Sequence, residues 1–321
     1  MEIKNSRILV IGGAGLIGSH LVEELLKENP KEIIIYDNFC RGKKENLNDA
    51  LKDSRVRIFE DGGDILHVDV LNKSMEGVDY VFHLAALWLL QCNEYERSAF
   101  EVNIEGTFNV IEACIKNNVK KLIFSSSASV YGNALKNPIE EDHPFNNNTF
   151  YGASKIAGEA MLTAVHHRRN LNFVGLRYMN VYGPRQDYKG TYVSIIMKIL
   201  DRIFVGKPPI VYGDGTQSYD FVYVKDVARA NILALKSNVN NGFYNVGTGV
   251  KTSINELSKI LLEITGSNLP ITYEPAAQTF VTDRVGSIKK AKENLGYEPT
   301  INLREGLIKS LEYYKKDRGL K

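Results

Sequence analysis

The chain has 321 residues, more than most single domains, so we expect one large domain and a smaller appended one. Apolar residues make up 44% and charged residues 24% of the chain, a composition that argues against a disordered or fibrous protein. The 40 lysines and arginines nearly balance the 38 aspartates and glutamates, for a net charge of +2. This near neutrality argues against nucleic acid or an anionic membrane as a partner.

The three cysteines, Cys40, Cys92 and Cys114, are odd in number and lack Cys-x-x-Cys spacing. This pattern argues against a disulfide framework and a zinc site, so we predict no metal. Unpaired cysteines fit a reducing compartment, and the expected location is cytoplasmic. No apolar stretch is long enough to span a membrane.

Apolar β-branched runs alternate with helical periodicity from the N-terminus. Arg7 to Ile11 is predicted to be a strand, Leu16 to Glu28 a helix and Glu32 to Tyr36 a second strand. The alternation continues with strands at 55–60, 78–84, 121–125 and 173–177, and with helices at about 98–117 and around residue 151. It predicts an α/β fold, with a doubly wound parallel sheet covered by helices on both faces.

The alternation weakens after residue 178, where Gly-Pro punctuation predicts loops. We therefore place a nucleotide-binding domain at residues 1–177 and a smaller C-terminal α/β substrate domain at residues 178–321. An alternative returns the segments near 221–246 to the first domain.

Three glycines, Gly12, Gly15 and Gly18, follow the first predicted strand and open the first predicted helix. Glycines at this spacing let the backbone approach a pyrophosphate, and the helix N-terminus favours its charge. Asp37 ends the second strand 19 residues after Gly18, where an acidic residue binds an adenosine ribose. A carboxylate there favours NAD over NADP, whereas Arg41 leaves NADP open; a tight turn without ligand is the bland alternative.

Tyr151 and Lys155 are four residues apart, and a polar segment ending at Asn148 or Thr149 supplies a helix N-cap before them. Residues four apart share one face of a helix, so the phenol and the ammonium are expected to converge. A nearby ammonium favours the phenolate, and we therefore predict a lowered tyrosine pKa and a usable proton acceptor. The alternative is a surface helix carrying a chance tyrosine and lysine.

Further motifs occur in order along nearly the whole chain. They are Asp64-Ile65, His83 to Ala86, Asn103 to Thr107, Ser125 to Gly132, Tyr151 to Lys155 and Leu176 to Pro184. With them, the sequence resembles the extended short-chain dehydrogenase/reductases, and within these the NAD-dependent nucleotide-sugar epimerases and dehydratases, closest to UDP-glucose 4-epimerase-like members. Their Rossmann-like fold is the doubly wound sheet predicted above.

The resemblance implies an NAD site made of residues at matching positions. These are Gly12, Gly15, Leu16, Ile17, Gly18, Asp37, Asn38, Phe39, Arg41, Gly42, Asp64, Ile65, Leu84, Ala85, Ala86, Asn103, Ser125, Tyr151, Lys155 and Met179.

The resemblance also implies a catalytic set of Ser127, Tyr151 and Lys155. Ser127 would hydrogen-bond the reacting sugar oxygen, Tyr151 would exchange its proton, and Lys155 would hold the nicotinamide ribose. Substrate contacts are expected from Trp88, Ser127, Tyr151, Asn180, Arg185, Tyr212 and Arg284.

Several of these residues also have ordinary structural readings. Ser127 could simply cap a turn, Asn103 and Asn180 could satisfy backbone groups, Trp88 could pack in the core, and Arg284 could lie on the surface.

Two departures from the family pattern bear on the reaction. Dehydratases of the family carry an acid pair after the catalytic Ser/Thr, where this chain has Ala128 and Ser129. Epimerases place an arginine where this chain has Tyr219 and another near the segment 276–278, which reads Ala-Ala-Gln. The two arginines that bind the substrate pyrophosphate in the family are therefore replaced here, and Arg185 or Arg284 is expected to compensate.

The expected function is NAD-dependent epimerisation of a nucleotide sugar, a UDP-hexose or UDP-hexosamine, at C4 through a transient 4-keto sugar. The alternatives are a C4 dehydrogenase, a 4,6-dehydratase and a non-catalytic NAD-binding protein. By analogy with the family, a homodimer is expected, paired through the helices at 98–117 and 151–165.

Overall fold

The computed structural model describes residues 1–189, 193–276 and 283–320. The first part of the chain alternates strands and helices, and a π-helical turn at Phe100–Glu105 joins two of the helices. In chain order the elements are β1 (Arg7–Ile11), α1 (Leu16–Leu26), β2 (Glu32–Tyr36), β3 (Val56–Ile58), α2 (Val68–Ser74), β4 (Tyr80–His83), α3 (Leu89–Glu94), α4 (Glu96–Ala99), α5 (Gly106–Lys116) and β5 (Lys121–Ser127).

The remaining elements are shorter on average, apart from two long helices. They are α6 (Phe150–Arg169), β6 (Phe173–Tyr178), β7 (Asn180–Tyr182), α7 (Ile195–Phe204), β8 (Ile210–Tyr212), β9 (Ser218–Tyr219), β10 (Phe221–Tyr223), α8 (Val224–Lys236), β11 (Phe243–Val246), β12 (Thr252–Ser253), α9 (Ile254–Thr265), β13 (Thr272–Glu274), β14 (Asp283–Arg284), α10 (Lys289–Leu295) and α11 (Leu303–Arg318).

Seven parallel strands form the central sheet, in the order β11-β6-β5-β4-β1-β2-β3. Every residue of β6 and four of the five in β1 are buried, because helices cover both faces of the sheet. The prediction of a doubly wound α/β fold is confirmed. Strand order reverses between β1 and β4, and such a reversal opens a crevice at the carboxyl ends of the strands.

The second half of the chain contributes to two regions. Strand β11 pairs with β6 and extends the central sheet, whereas β9, β12 and β14 form a separate three-stranded sheet. Apolar residues of α7, α9 and α11, among them Leu200, Leu257 and Leu307, form a core of their own. The boundary at 177/178 stays a prediction.

Helix α6 begins where the sequence predicts. Thr149 is its N-cap, and its Oγ1 accepts a hydrogen bond of 3.0 Å from the Gly152 amide. The helix ends at Asn170 in the left-handed conformation, with φ of 56°. Among the helices of residues 1–189, 193–276 and 283–320, none combines the length and the apolar character that a membrane crossing requires.

A buried ion pair fixes α6 to the central sheet. The Arg177 guanidinium donates to both oxygens of Glu159, at 2.9 and 2.6 Å, and the two side chains are 5% and 3% exposed. Ser126 Oγ donates to the same carboxylate at 2.6 Å, and Arg177 also reaches the Tyr131 hydroxyl at 2.7 Å. The pair is therefore fully hydrogen-bonded, which a buried pair needs to offset its desolvation.

We expect Glu159→Gln to lower the free energy of unfolding by about 3 kcal/mol, because it leaves the Arg177 charge buried without a counterion. Urea denaturation measures this loss. The control is Glu263→Gln, since Glu263 pairs with Arg304 at 2.7 Å with both side chains more than half exposed. The control should cost less than about 1 kcal/mol. Equal losses of unfolding free energy in the two variants would contradict the conclusion that the buried Glu159–Arg177 pair matters more to stability than an exposed pair.

Candidate active site

A cavity of about 860 Å³ lies at the carboxyl ends of the central strands. The loops after β1, β2, β4 and β5 form one side of it, and residues of β7, β8, β9 and β14 form the other. This volume is at the upper end of the range for small-molecule sites. It is where the strand order reverses, and ligands of open α/β sheets bind at such a position.

The glycine loop after β1 lies against the backbone of its neighbours. A Cβ on Gly12, which has φ of 81°, would lie 2.7 Å from the Ala85 amide nitrogen. A Cβ on Gly18 would lie 2.2 Å from the Gly12 carbonyl oxygen. No other residue fits these positions, and the N-terminus of α1, with Gly15, Leu16 and Ile17, consequently faces the cavity.

Asp37 is held at the end of β2 by two backbone amides. Ala14 N–H donates to its Oδ2 at 2.8 Å and Phe39 N–H donates to its Oδ1 at 2.9 Å. Burial raises the pKa of the Asp37 carboxyl, while these two hydrogen bonds act against the increase. The carboxylate lines the cavity beside the glycine loop, an arrangement that suits an adenosine ribose and a pyrophosphate.

All but two of the residues predicted to bind the cofactor line the cavity. Phe39 is exposed, with φ of 56°. Its backbone N–H contributes to the site by donating a hydrogen bond to Asp37. Asn103 is buried and turned away: its Oδ1 accepts from Leu87 N at 2.7 Å, and its Nδ2 donates to Leu87 O at 3.0 Å. The structure does not bring these two side chains to the cavity lining, and Asn103 instead holds the backbone of Leu87.

The head groups of Tyr151 and Lys155 converge, as helical spacing predicts. Lys155 Nζ lies 5.7 Å from the centre of the Tyr151 ring and donates to the Ser125 carbonyl oxygen at 2.8 Å. The Ser127 side chain lies beside the Tyr151 phenol and acts to lower its pKa. The three residues therefore meet at one point of the cavity wall, at the end of β5 and the beginning of α6.

The prediction of a lowered tyrosine pKa is wrong for this structure. Burial raises the pKa of Tyr151 to about 12, although the hydrogen bond from Ser127 and the charges of Arg284 and Arg41 act against the increase. Burial also lowers the pKa of Lys155 to about 8. Both changes have one physical cause, because an environment poor in water disfavours charge on either group.

Ser127 also interacts with the residue two positions later. Its Oγ accepts from Ser129 N–H at 3.1 Å and lies 3.2 Å from Ser129 Oγ. A Ser127 that caps this short turn is consistent with both the structural and the catalytic reading. Ala128 and Ser129, which stand where dehydratases have acids, are both buried.

Every residue predicted to contact the substrate lines the cavity, with different partners. Trp88 stacks under the Arg41 guanidinium, whose carbon lies 5.0 Å from the ring centre. Arg185 forms an ion pair with Glu23 on α1, and its Nη1 is buried without a hydrogen bond. Tyr212 is 42% exposed at the cavity rim.

Asn180 and Arg284 meet on the other wall of the cavity, where Arg284 Nη2 lies 3.4 Å from Asn180 Oδ1. Arg284 is buried, which corrects the reading of a surface residue.

Sequence reasoning missed Tyr178, a second phenol in the cavity wall. Its hydroxyl lies 3.0 Å from Ser125 Oγ and donates to Asn231 Oδ1 at 2.9 Å. The residue belongs to the motif at 176–184, but only the pairing of β5 with β6 places it beside Ser125. Two positions where the family has arginine hold other residues in this chain. Tyr219, at the first, lines the cavity, and Ala277 and Gln278, near the second, lie outside the described residues. Within the described ranges, no group of three or more His, Cys, Asp or Glu side chains could hold a metal ion.

Comparison with known proteins agrees with this geometry. Residues 8–247 match the model of the NAD dependent epimerase/dehydratase family. The UDP-glucose 4-epimerase of Mycolicibacterium smegmatis is 32% identical over 320 residues, which cover 96% of this chain and 98% of that protein.

Two solved structures superpose over almost the whole chain. The UDP-N-acetylglucosamine 4-epimerase of Methanobrevibacter ruminantium, in complex with UDP-N-acetylmuramic acid, has a TM-score of 0.92 and 35% identity, covering 98% of this chain and 99% of that one. The UDP-glucose 4-epimerase of Thermotoga maritima, with UDP-glucose, has a TM-score of 0.90 and 36% identity, covering 97% and 99%. NAD is the cofactor of the matching family, which confirms the predicted cofactor. With its cavity, its glycine loop and these matches along almost its whole length, the chain belongs to the NAD dependent epimerase/dehydratase family.

Proposed function

We propose that this chain inverts the C4 configuration of a nucleotide sugar, a UDP-hexose or a UDP-hexosamine, through a transient 4-keto sugar. One observation carries the proposal: Ser127, Tyr151 and Lys155 meet in the cavity that the glycine loop and Asp37 also line. The UDP-sugar 4-epimerases among its relatives support the substrate class.

The residues at one end of the cavity fit NAD. The glycine loop leaves the N-terminus of α1 open to a pyrophosphate, and Asp37 is positioned to bind ribose hydroxyls. The Asp37 carboxylate would repel a ribose phosphate, which favours NAD over NADP. When bound there, NAD supplies the acceptor and donor of the C4 hydride.

Tyr151 is the proposed proton acceptor for the C4 hydroxyl, and Ser127 positions the same oxygen. Because burial raises the tyrosine pKa to about 12, its deprotonated form needs hydrogen bonds and positive charge. The proposed donor of that hydrogen bond is Ser127, whose side chain acts to lower the tyrosine pKa, and Arg284 and Arg41 supply charge. Lys155, fixed by the Ser125 carbonyl, adds an ammonium 5.7 Å from the ring centre and is the proposed partner of the nicotinamide ribose.

The residues after Ser127 favour epimerisation over elimination. A 4,6-dehydration needs an acid and a base to remove water across the sugar ring. Ala128 and Ser129 occupy the positions concerned, and neither side chain carries a carboxyl group. A 4-keto sugar formed in this cavity would therefore lack the acid and the base that loss of water requires.

A homodimer through α4, α5 and α6 is part of the proposal. Two large apolar side chains of this region stay in solvent: Phe100, in the turn between α4 and α5, is 41% exposed, and Phe108, on α5, is 40% exposed. Burial of such residues stabilises association. The exposed free thiol of Cys40 suits the reducing cytoplasm, which we propose as the location.

Incubation of the purified chain with UDP-glucose and with UDP-N-acetylglucosamine tests the proposed function directly. NMR should show each sugar converted to a mixture with its C4 epimer, with no net accumulation of NADH. Release of a keto sugar with stoichiometric NADH would favour a dehydrogenase. No change in any UDP-hexose or UDP-hexosamine would refute the proposal.

We expect Tyr151→Phe to lower kcat by about 100- to 10,000-fold while NAD affinity stays the same, because only the proton acceptor is removed. Single-turnover kinetics and NAD titration measure the two effects. Tyr95→Phe removes a hydroxyl from a tyrosine that is 54% exposed and outside the cavity lining, and should leave kcat unchanged. A Tyr151→Phe variant with the parental kcat would eliminate the proposed acceptor.

Gly15→Ala should separate folding from cofactor binding. Gly15 has φ of −74°, and an added Cβ would have its nearest neighbour at 3.4 Å, so we expect almost unchanged thermal stability. The methyl group would point into the space for the pyrophosphate, and NAD affinity by calorimetry should fall at least about 10-fold. Gly18→Ala, with its clash inside the loop, should lose stability as well as affinity. Parental affinity in Gly15→Ala would argue against this pyrophosphate position.

A further inference from the structure

Arg284 is a buried cation that no carboxylate of the described residues neutralises. It lies on β14 and is 9% exposed, and its Nε is buried without a hydrogen bond. Its Nη2 donates to Asn180 Oδ1 in a long hydrogen bond of 3.4 Å. Among the described residues, no carboxylate lies within ion-pair distance of this guanidinium.

The other arginine buried to this degree shows what the fold does when an arginine is structural. Arg177 is 4% exposed, and Glu159 accepts two hydrogen bonds from it. A buried guanidinium without an anion destabilises the fold, so folding alone gives no reason to keep one. The contrast between Arg177 and Arg284 therefore points to an anion that arrives with a ligand.

Arg284 also faces the place where the substrate is proposed to bind. It lines the cavity, and its charge acts on the Tyr151 phenol. On the parallel neighbouring strand, Tyr219 is its direct partner in register. Position 219 is where the family resemblance leads one to expect an arginine. In this chain a guanidinium reaches the same wall from the adjacent strand.

We propose that Arg284, backed by Asn180, binds an anionic oxygen group of the nucleotide-sugar substrate. Two groups of such a substrate have this chemistry: the diphosphate, and a carboxylate on the sugar. A guanidinium binds either through paired N–H donors, and its unused Nε is one of them. This assignment rests on the proposed function, because it takes the cavity as the nucleotide-sugar site.

Calorimetric titration of the NAD-bound enzyme distinguishes the two sources. The probes are uridine, UMP and UDP for the diphosphate, and UDP-glucose and UDP-glucuronate for a carboxylate on the sugar. We compare the parent with Arg284→Gln and Arg284→Lys, and with Arg304→Gln as a control. Arg304 is an exposed arginine paired with Glu263 that does not line the cavity.

Loss of the guanidinium should weaken binding of the anion-bearing probe about 10- to 100-fold. If the diphosphate is bound, Arg284→Gln weakens UDP and leaves uridine unchanged. If a sugar carboxylate is bound, UDP keeps its affinity and the preference for UDP-glucuronate over UDP-glucose falls by that factor. Arg284→Lys should recover part of the affinity, and Arg304→Gln should match the parent. Unchanged affinity for every probe in Arg284→Gln would overturn the proposal.

Thermal stability gives a second readout that separates binding from a structural role. Without nucleotide sugar, Arg284→Gln should be as stable as the parent or more so, because it removes an uncompensated buried charge. A lower Tm together with parental affinities would show a structural arginine and overturn the proposal. Turnover and UDP binding by the parent are measured in the same series, so a failure of the proposed function would be seen independently of the variants.

Discussion

The hydrogen bond from Lys155 Nζ to the Ser125 carbonyl, 2.8 Å long, connects the two elements that make the site. It holds the first turns of α6 against the end of β5, which brings Tyr151 to Ser127. The carbonyl is itself held in place, because Ser125 Oγ bonds the Tyr178 hydroxyl and that hydroxyl bonds Asn231 on α8. The distance between phenol and serine thus depends on contacts that reach across the sheet.

Burial raises the pKa of Tyr151, whereas its spacing from Lys155 predicts a decrease. The same poorly hydrated wall raises the pKa of Tyr151 to about 12 and lowers that of Lys155 to about 8, so both groups are driven toward their neutral forms. The cationic groups around the phenol therefore matter more than the tyrosine–lysine spacing alone suggests. Burying groups that can carry charge makes the fold less stable than apolar side chains would at the same positions, as is common at ligand sites.

The parts that the sequence predicts well are those set by neighbouring residues. Thr149 as N-cap, the helix that presents Tyr151 and Lys155, and the glycine loop before α1 all follow from spacing over a few positions. A backbone-satisfying role was one of the two interpretations of Asn103, but no local pattern identifies its partner, Leu87, 16 residues earlier. The buried state of Arg284 likewise depends on the pairing of β14 with β9, which no local pattern encodes. The tyrosine pKa depends on burial, and spacing does not report burial.

The family pattern predicts an arginine at position 219 on β9, whereas this chain has Tyr219 there and Arg284 on the neighbouring strand β14. Adjacent strands lie about 4.8 Å apart, so the arginine side chain starts roughly that far to one side of position 219. At position 219 the cavity is lined by the aromatic ring of Tyr219 instead of a charged side chain. If Tyr151 and Ser127 position C4 as proposed, the distance between C4 and the anionic group of the substrate is set by where Arg284 holds that group. A carboxylate on the sugar lies closer to C4 than the diphosphate does.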